Sequence, residues 1–188
     1  YQDQKLKIRI NTKNIHSKGL LENLGHAIKI ALDLKISKKI IEKTIPKLIF
    51  VGRFQYLKKG KIKNKLHKNE KVMIDGAHSI ADAKNLANYL KTIKLPKYGI
   101  WAMTKNKEPD LFIKEFSNIF HKLVTMPIEN ENSSVSANEL NKIAIKNKIN
   151  SEVSNNFIDA LKKISNKEKK LIVCFGSLYN CGNILNKN

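Results

Sequence analysis

The 188-residue chain has few cysteines, few arginines and no long apolar run. Its cysteines, Cys174 and Cys181, are seven residues apart, which is the spacing of neither a redox Cys-x-x-Cys pair nor a zinc site. The longest apolar runs, such as 171–175, are strand-sized and far shorter than the ~18 residues that span a bilayer. No signal peptide is recognisable. Together these absences predict a reduced, cytoplasmic protein without a membrane span.

Arginine is scarce although the chain has a net charge of +20, since only Arg9 and Arg53 are arginines among 36 basic residues. Lysine, isoleucine and asparagine share A/T-rich codons, so genomic composition explains the charge better than a nucleic-acid partner does. Proteins that read bases and phosphates favour arginine forks, which are nearly absent here. Nucleic-acid binding therefore stays a disfavoured alternative. Arg53, which follows Gly52, is a candidate phosphate ligand, with an ordinary surface arginine as the alternative.

Motifs of self-contained enzymes are also absent. The sequence has no GxxxxGK[ST] phosphate loop, no GxGxxG dinucleotide fingerprint and no GxSxG nucleophile motif. No pair of histidines has a metal-binding spacing, and we predict no metal site. The chain begins at Tyr1 rather than at methionine, which we interpret as a fragment or a processed product.

The order of elements after residue 70 indicates the fold class. Predicted strands at 71–75, 98–104, 122–126 and 171–175 alternate with helices that begin at Ser79, Pro109, Ser136 and Asn155 or Asn156. This alternation predicts an α/β domain with a doubly wound, mostly parallel sheet flanked by helices. Just before it, 53–57 is predicted to be a strand, and the lysine-rich segment 58–71 a hairpin or exposed loop.

The first 50 residues predict a short strand, 5–10, and two helices, one over 20–34 and one capped by Ser37. They are too few for a good core of their own, so we expect them to pack on something outside this sequence. We place the domain boundary near residues 48–52, with domains 1–50 and 51–188.

Candidate ligand-binding residues gather where predicted strands end. Asp75-Gly76-Ala77-His78 follows one strand, Gly176-Ser177 follows another, and Lys105-Asn106-Lys107-Glu108 follows a third; ligands bind at such edges. Asp75 can accept hydrogen bonds from a ribose or an ammonium group, and His78 can bind an anion or a carboxylate. The structural alternatives are that Asp75 and His78 only satisfy a tight turn, that Ser177 only caps a helix, and that the lysine segment is a solvated loop.

These motifs resemble those of the folylpolyglutamate synthase/dihydrofolate synthase family, in the Mur ligase superfamily. Five segments occur in the family's order over nearly the whole chain: Asn23–Ala27, Gly52–Gln55, Asp75–Ser79, Met103–Glu108 and Gly176–Tyr179. The chain departs from the family pattern at Val51, Ser79, Ile80, Asn106, Glu108 and Asn180-Cys181. The resemblance implies that the chain is the family's C-terminal portion, with residues 1–50 the end of the central ATPase domain and 51–188 the Rossmann-like Mur ligase C-terminal domain.

The resemblance implies an ATP-dependent ligase that activates the terminal carboxylate of folate as an acyl phosphate and joins L-glutamate to it. Asn23 and Arg53 would contact ATP, Asp75 the nucleotide or the glutamate amine, and His78 and Ser177 the glutamate. The phosphate loop and the Mg²⁺ ligands would lie in an N-terminal ATPase domain, so this chain would hold no catalytic residue and would turn over no substrate alone. The family likeness also implies a monomer. The alternative is a non-catalytic remnant or binding module.

Overall fold

The computed structural model describes residues 7, 8, 10–12, 15 and 17–188, in two compact units, Tyr1–Phe50 and Val51–Asn188. The first unit contains α1 (Lys18–Asp33), α2 (Lys38–Thr44) and a 3-10 turn, Ile45–Lys47. Ser17 caps α1, because its side-chain oxygen accepts a hydrogen bond from the Leu20 amide. A small core joins these helices: Ile8, Ile15, Leu24, Ile28, Ile41 and Ile45. Residues 5, 6 and 9 of the predicted strand 5–10 lie outside the described residues.

The second unit is built on one six-stranded sheet. Its elements are β1 (Gln55–Tyr56), α3 (Lys61–Lys65), β2 (Glu70–Asp75), α4 (Ile80–Lys91), β3 (Lys97–Trp101), α5 (Pro109–Lys114), β4 (Lys122–Thr125), α6 (Ala137–Lys146), β5 (Ser151–Val153), α7 (Phe157–Ile164), β6 (Lys170–Phe175) and α8 (Leu178–Lys187). The strand order is β1-β2-β6-β3-β4-β5; β1 is antiparallel to β2 and the other neighbouring pairs are parallel. The prediction of a doubly wound, mostly parallel sheet is confirmed.

Both faces of this sheet are covered by helices. On one face, Ile74, Ile100 and Cys174 share a core with apolar residues of α3, α7 and α8. On the other face an aromatic cluster surrounds Phe175, whose ring centroid lies 4.7 Å from that of Phe116. Apolar burial on both faces explains why β2 and β6 are nearly continuous apolar runs rather than alternating ones.

Several element boundaries differ from the sequence predictions. The prediction of a hairpin or exposed loop at 58–71 is wrong, since the segment contains α3, whose Ile62 is buried in the core. The predicted strand 98–104 ends at Trp101, and α5 ends at Lys114 rather than near 120; Asn118 then takes a left-handed backbone conformation with φ +63°. Strand β5 was not predicted, because its three half-buried residues carry too short a pattern.

Candidate functional site

The sheet topology brings three loops to one edge. Asp75, the last residue of β2, pairs with Phe175 of β6, and Phe175 pairs in turn with Trp101 of β3. Because β6 is inserted between β2 and β3, the segments that leave these strands begin side by side. We call them the His78 loop (76–79), the Lys107 loop (102–108) and the Gly176-Ser177 turn. This arrangement at the carboxyl ends of parallel strands is where doubly wound sheets bind ligands.

Asp75 directly precedes the His78 loop and is only 2% exposed. Its two carboxylate oxygens accept separate backbone hydrogen bonds, one from the Phe54 amide at 2.7 Å and one from the Ala77 amide at 2.8 Å. Burial raises the pKa of the Asp75 carboxyl to about 6, although both amides and the nearby Arg53 guanidinium favour the ionised form. Both oxygens are therefore already engaged within the protein.

The Phe54 amide belongs to a segment, residues 52–55, that we call the Arg53 loop. Gly52 and Phe54 both take left-handed backbone conformations, with φ values of +67° and +47°. A non-glycine residue in this region costs about 1–3 kcal/mol, so the surrounding contacts must stabilise Phe54 there. Its ring packs edge-on against Tyr89 of α4, with the centroids 5.0 Å apart. A hydrogen bond to a charged group contributes about 1.5–3 kcal/mol, enough to offset this cost.

Arg53 itself is half-buried. It lies close enough to Asp75 to lower the pKa of that carboxyl. Within the described part of the chain, its guanidinium forms no ion pair or hydrogen bond. A half-buried guanidinium whose donors are free can bind the oxygens of an anion such as phosphate.

His78 is oriented by its own loop. Its ring Nδ1 lies 2.7 Å from the carbonyl oxygen of Gly76, so Nδ1 carries the hydrogen and donates it. This leaves Nε2 as the ring atom that can meet a ligand. Ser79 then begins α4 with a capping box, in which its hydroxyl oxygen accepts from the Asp82 amide at 3.1 Å.

The Gly176-Ser177 turn brings α8 close to the His78 loop. Gly176 has φ +106°, and a side chain there would place Cβ 2.3 Å from the carbonyl oxygen of Ala102. Ser177 is 3% exposed and caps α8, since its hydroxyl oxygen accepts from the Asn180 amide at 3.4 Å. The prediction that Ser177 caps a helix is therefore confirmed. The hydroxyl hydrogen can still be donated to a ligand, because capping uses only the oxygen.

The Lys107 loop is held by a neighbouring segment that sequence reasoning did not connect to it. Thr104 forms an isolated antiparallel bridge with Ser134, and the Lys105 amide donates to the Ser133 carbonyl at 2.7 Å. Asn106 accepts a hydrogen bond from the Thr104 hydroxyl at 2.7 Å. The Lys107 ammonium makes no ion pair with a described residue, so its charge remains available.

His78, Lys107 and Ser177 line one cleft of about 460 Å³. The remaining lining residues are Thr104, Asn106, Ser133, Leu178 and Tyr179. Among the described residues, this lining contains a lysine, a histidine and four hydroxyl groups but no carboxylate. A smaller pocket of about 290 Å³ shares His78, Asn106 and Lys107 with the cleft. The cleft is thus suited to a small anionic ligand with several hydrogen-bonding groups.

The other sequence-derived candidates are not in the cleft lining. The Asp75 carboxylate connects the Arg53 loop to the His78 loop, because it accepts hydrogen bonds from the Phe54 and Ala77 amides. Asn23 belongs to the first unit, where it is exposed on α1. Thr104, Ser133 and Tyr179 line the cleft but were not singled out from the sequence; Thr104 and Tyr179 lie inside the quoted motifs, whereas nothing in the sequence points to Ser133.

Over the described residues, no group of three or more His, Cys, Asp or Glu side chains is arranged to hold a metal ion. No helix in that part of the chain is long and apolar enough to cross a bilayer.

The fold and the cleft together define a doubly wound α/β domain with a candidate ligand cleft at the carboxyl edge of its sheet. Residues 58–187 match the family model described as dihydrofolate synthetase, C-terminal domain. The chain belongs to this family, which confirms the resemblance to the C-terminal portion of folylpolyglutamate and dihydrofolate synthases. No curated protein matches the sequence.

Solved structures show the same fold. A Mycobacterium tuberculosis folylpolyglutamate synthase complexed with ADP and AMPPCP superposes with a TM-score of 0.76 at 16% identity, over 91% of this chain and 40% of that one. A Thermotoga maritima folylpolyglutamate synthase gives 0.68 at 24% identity, over 90% and 38%. E. coli FolC in complex with DHPP and ADP gives 0.66 at 16% identity, over 80% and 34%. The chain thus spans 34–40% of the length of these proteins.

Proposed function

We propose that the chain is the glutamate-binding part of an ATP-dependent ligase that joins L-glutamate to the terminal carboxylate of a folate. The observation that carries this proposal is the cleft shared by His78, Lys107 and Ser177, with a lysine, a histidine and hydroxyl groups in its lining. Family membership supports the same reaction class.

The cleft chemistry suits an acidic amino acid. L-Glutamate carries two carboxylates, and the Lys107 ammonium supplies a charge-assisted hydrogen bond to one of them. The His78 ring, which is held by the Gly76 carbonyl, and the Ser177 hydroxyl complete the set of polar contacts. Because the described lining contains no carboxylate, the two carboxylates of L-glutamate meet no like charge there.

Arg53 and Asn23 are the residues that we propose for the ATP side. The Arg53 guanidinium has free donors, as binding of a phosphate requires, and charge on a transferring phosphoryl group is stabilised by such groups. Asn23 is exposed on α1 and available to a nucleotide. We place the phosphate loop and the Mg²⁺ ligands in a P-loop domain that is separate from these 188 residues.

The first unit has a surface suited to contact that P-loop domain. Several of its apolar side chains are exposed: Leu21, Ile30, Leu34, Ile36, Ile40 and Ile49. We propose that these exposed apolar side chains contact the P-loop domain. We propose that the complete enzyme works as a cytoplasmic monomer whose domains close around the ligands.

A turnover experiment tests this proposal. The purified chain is assayed for ATP hydrolysis and for glutamate transfer to dihydropteroate and to tetrahydrofolate, and we expect neither reaction. Fusion to the P-loop portion of the T. maritima folylpolyglutamate synthase should give folate-dependent ligation, and an Arg53→Lys fusion, which keeps the charge but loses the fork, should be slower. Turnover by the chain alone, or a fusion that hydrolyses ATP but never ligates glutamate, would contradict the proposal.

A further inference from the structure

The carboxylate of Asp75 joins the Arg53 loop to the His78 loop. We propose that Asp75 is a positioning residue that fixes Arg53 for anion binding. The anion-binding role of Arg53 rests on the proposed function. The role of Asp75 in holding the two loops rests on its hydrogen bonds to the Phe54 and Ala77 amides.

Each oxygen of Asp75 serves one loop. Oδ2 accepts from the Phe54 amide, 21 residues away in the sequence, and Oδ1 accepts from the Ala77 amide. A second connection runs in parallel, because the Gly76 amide donates to the Gly52 carbonyl at 2.6 Å. The side chain is 2% exposed, so the carboxylate is enclosed by the two loops that it joins.

The Arg53 loop needs such an attachment because little regular structure supports it. The strand β1, which begins at the last residue of this loop, has only two residues, and two of the four loop residues take left-handed backbone conformations. Arg53 lies between these two residues, so the direction of its side chain depends on both of them. The amide that Asp75 holds belongs to Phe54, the residue that directly follows Arg53 and that is strained.

A competing interpretation is that Asp75 acts on Arg53 only through its charge. The charged or ionisable groups near Asp75 are Arg53, Asp82 and the Cys181 thiol. The two interpretations predict opposite effects on an anion bound to Arg53. Removing a nearby negative charge strengthens anion binding if only charge matters, whereas releasing the loop weakens it if position matters.

The experiment uses the ¹⁵N-labelled 188-residue chain and inorganic phosphate as the probe. Because the sequence has only two arginines, the side-chain Nε–Hε signal of Arg53 is readily followed in the presence of that of Arg9. In Asp75→Asn, we expect phosphate to bind Arg53 about tenfold more weakly, as for the loss of one well-placed charged contact. Asp82→Asn is the matched control, since it removes a neighbouring negative charge but leaves the Phe54 hydrogen bond; its affinity should be equal or higher.

Tighter phosphate binding in Asp75→Asn would overturn the proposal and favour the charge interpretation. Amide hydrogen exchange gives an independent measurement, in which Phe54 and Ala77 should exchange faster in Asp75→Asn while Met73 in β2 stays protected. Unchanged exchange at Phe54 would also overturn it. If phosphate shifts no Arg53 signal in the wild-type chain, the anion role of Arg53 fails, and hydrogen exchange still decides whether Asp75 holds the loops.

A measurement on the wild-type chain tests the same connection even if the Asp75→Asn variant misfolds. As pH is varied, the Phe54 and Ala77 amide shifts should follow the ¹³Cγ shift of Asp75 with one common midpoint. The ring shifts of His78, which lies in the same loop as Ala77, are recorded in the same experiment. Amides that follow His78 rather than Asp75 would contradict the proposed connection.

Discussion

The backbone conformation and the close packing at Gly176 exclude a side chain, and Gly176→Ala tests this. The residue has φ +106°, a conformation that costs an alanine about 1–3 kcal/mol. The new Cβ would also lie 2.3 Å from the Ala102 carbonyl oxygen and 2.7 Å from Trp101 Cδ1. Because backbone lies on one side and a fully buried indole on the other, relief of the clash requires a shift that costs a further 1–3 kcal/mol or so.

We therefore expect Gly176→Ala to lower the free energy of unfolding by about 2–6 kcal/mol. The assay is urea unfolding followed by the fluorescence of Trp101, which is the only tryptophan in the sequence and packs beside Gly176. The substitution should also weaken ligand binding in the cleft, because Ser177 follows directly.

The matched control is Gly182→Ala in the neighbouring helix α8. An added Cβ at Gly182 meets nothing within 4 Å, so the helix propensity of alanine should stabilise the protein by up to about 1 kcal/mol. The two alanine substitutions should thus act in opposite directions. A Gly176→Ala protein as stable as wild type would refute the described geometry of this turn, as would strong destabilisation by Gly182→Ala.

Two further predictions concern charge. Because burial raises the pKa of Asp75 to about 6, above its unfolded value, its contribution to stability is complete below pH 4 and is lost as the pH rises through 6. Relative to Asp75→Asn, the wild-type chain should lose about 3 kcal/mol of unfolding free energy between pH 4 and 7 in urea titrations; a pH-independent difference would contradict this. Lys107→Gln should weaken L-glutamate binding about tenfold by calorimetry, whereas Lys162→Gln on α7 should not; equal affinities would remove Lys107 from the site.

The sequence predicts the strands and helices with strong apolar patterns and misses the weak ones. Strands β2 and β6 are visible because both faces of each are buried, which leaves runs of consecutive apolar residues. Strand β5 is not visible, because it is a three-residue strand whose residues are only half-buried. Helix α3 was predicted as a hairpin or loop because lysines dominate its sequence and only Ile62 marks a buried face.

Some features of the candidate site can likewise be predicted from the sequence, and others cannot. The parallel topology places the ends of β2, β3 and β6 together, so His78, Lys107 and Ser177 could be predicted to lie at one edge. The partners of Asp75 could not be predicted, because a backbone amide carries no signature in the sequence and Phe54 is 21 positions away. Ser133 is brought to the cleft by the bridge between Thr104 and Ser134 and by the hydrogen bond from the Lys105 amide, which are long-range contacts.

The central claim is that this cleft binds the amino acid that the ligase adds. The most direct test is a titration of the ¹⁵N-labelled chain with L-glutamate, with D-glutamate and L-aspartate as controls. We expect saturable shifts for L-glutamate that centre on His78, Lys107 and Ser177, with weaker binding of both controls. Shifts confined to residues outside the cleft, or no saturable binding of L-glutamate, would contradict the account.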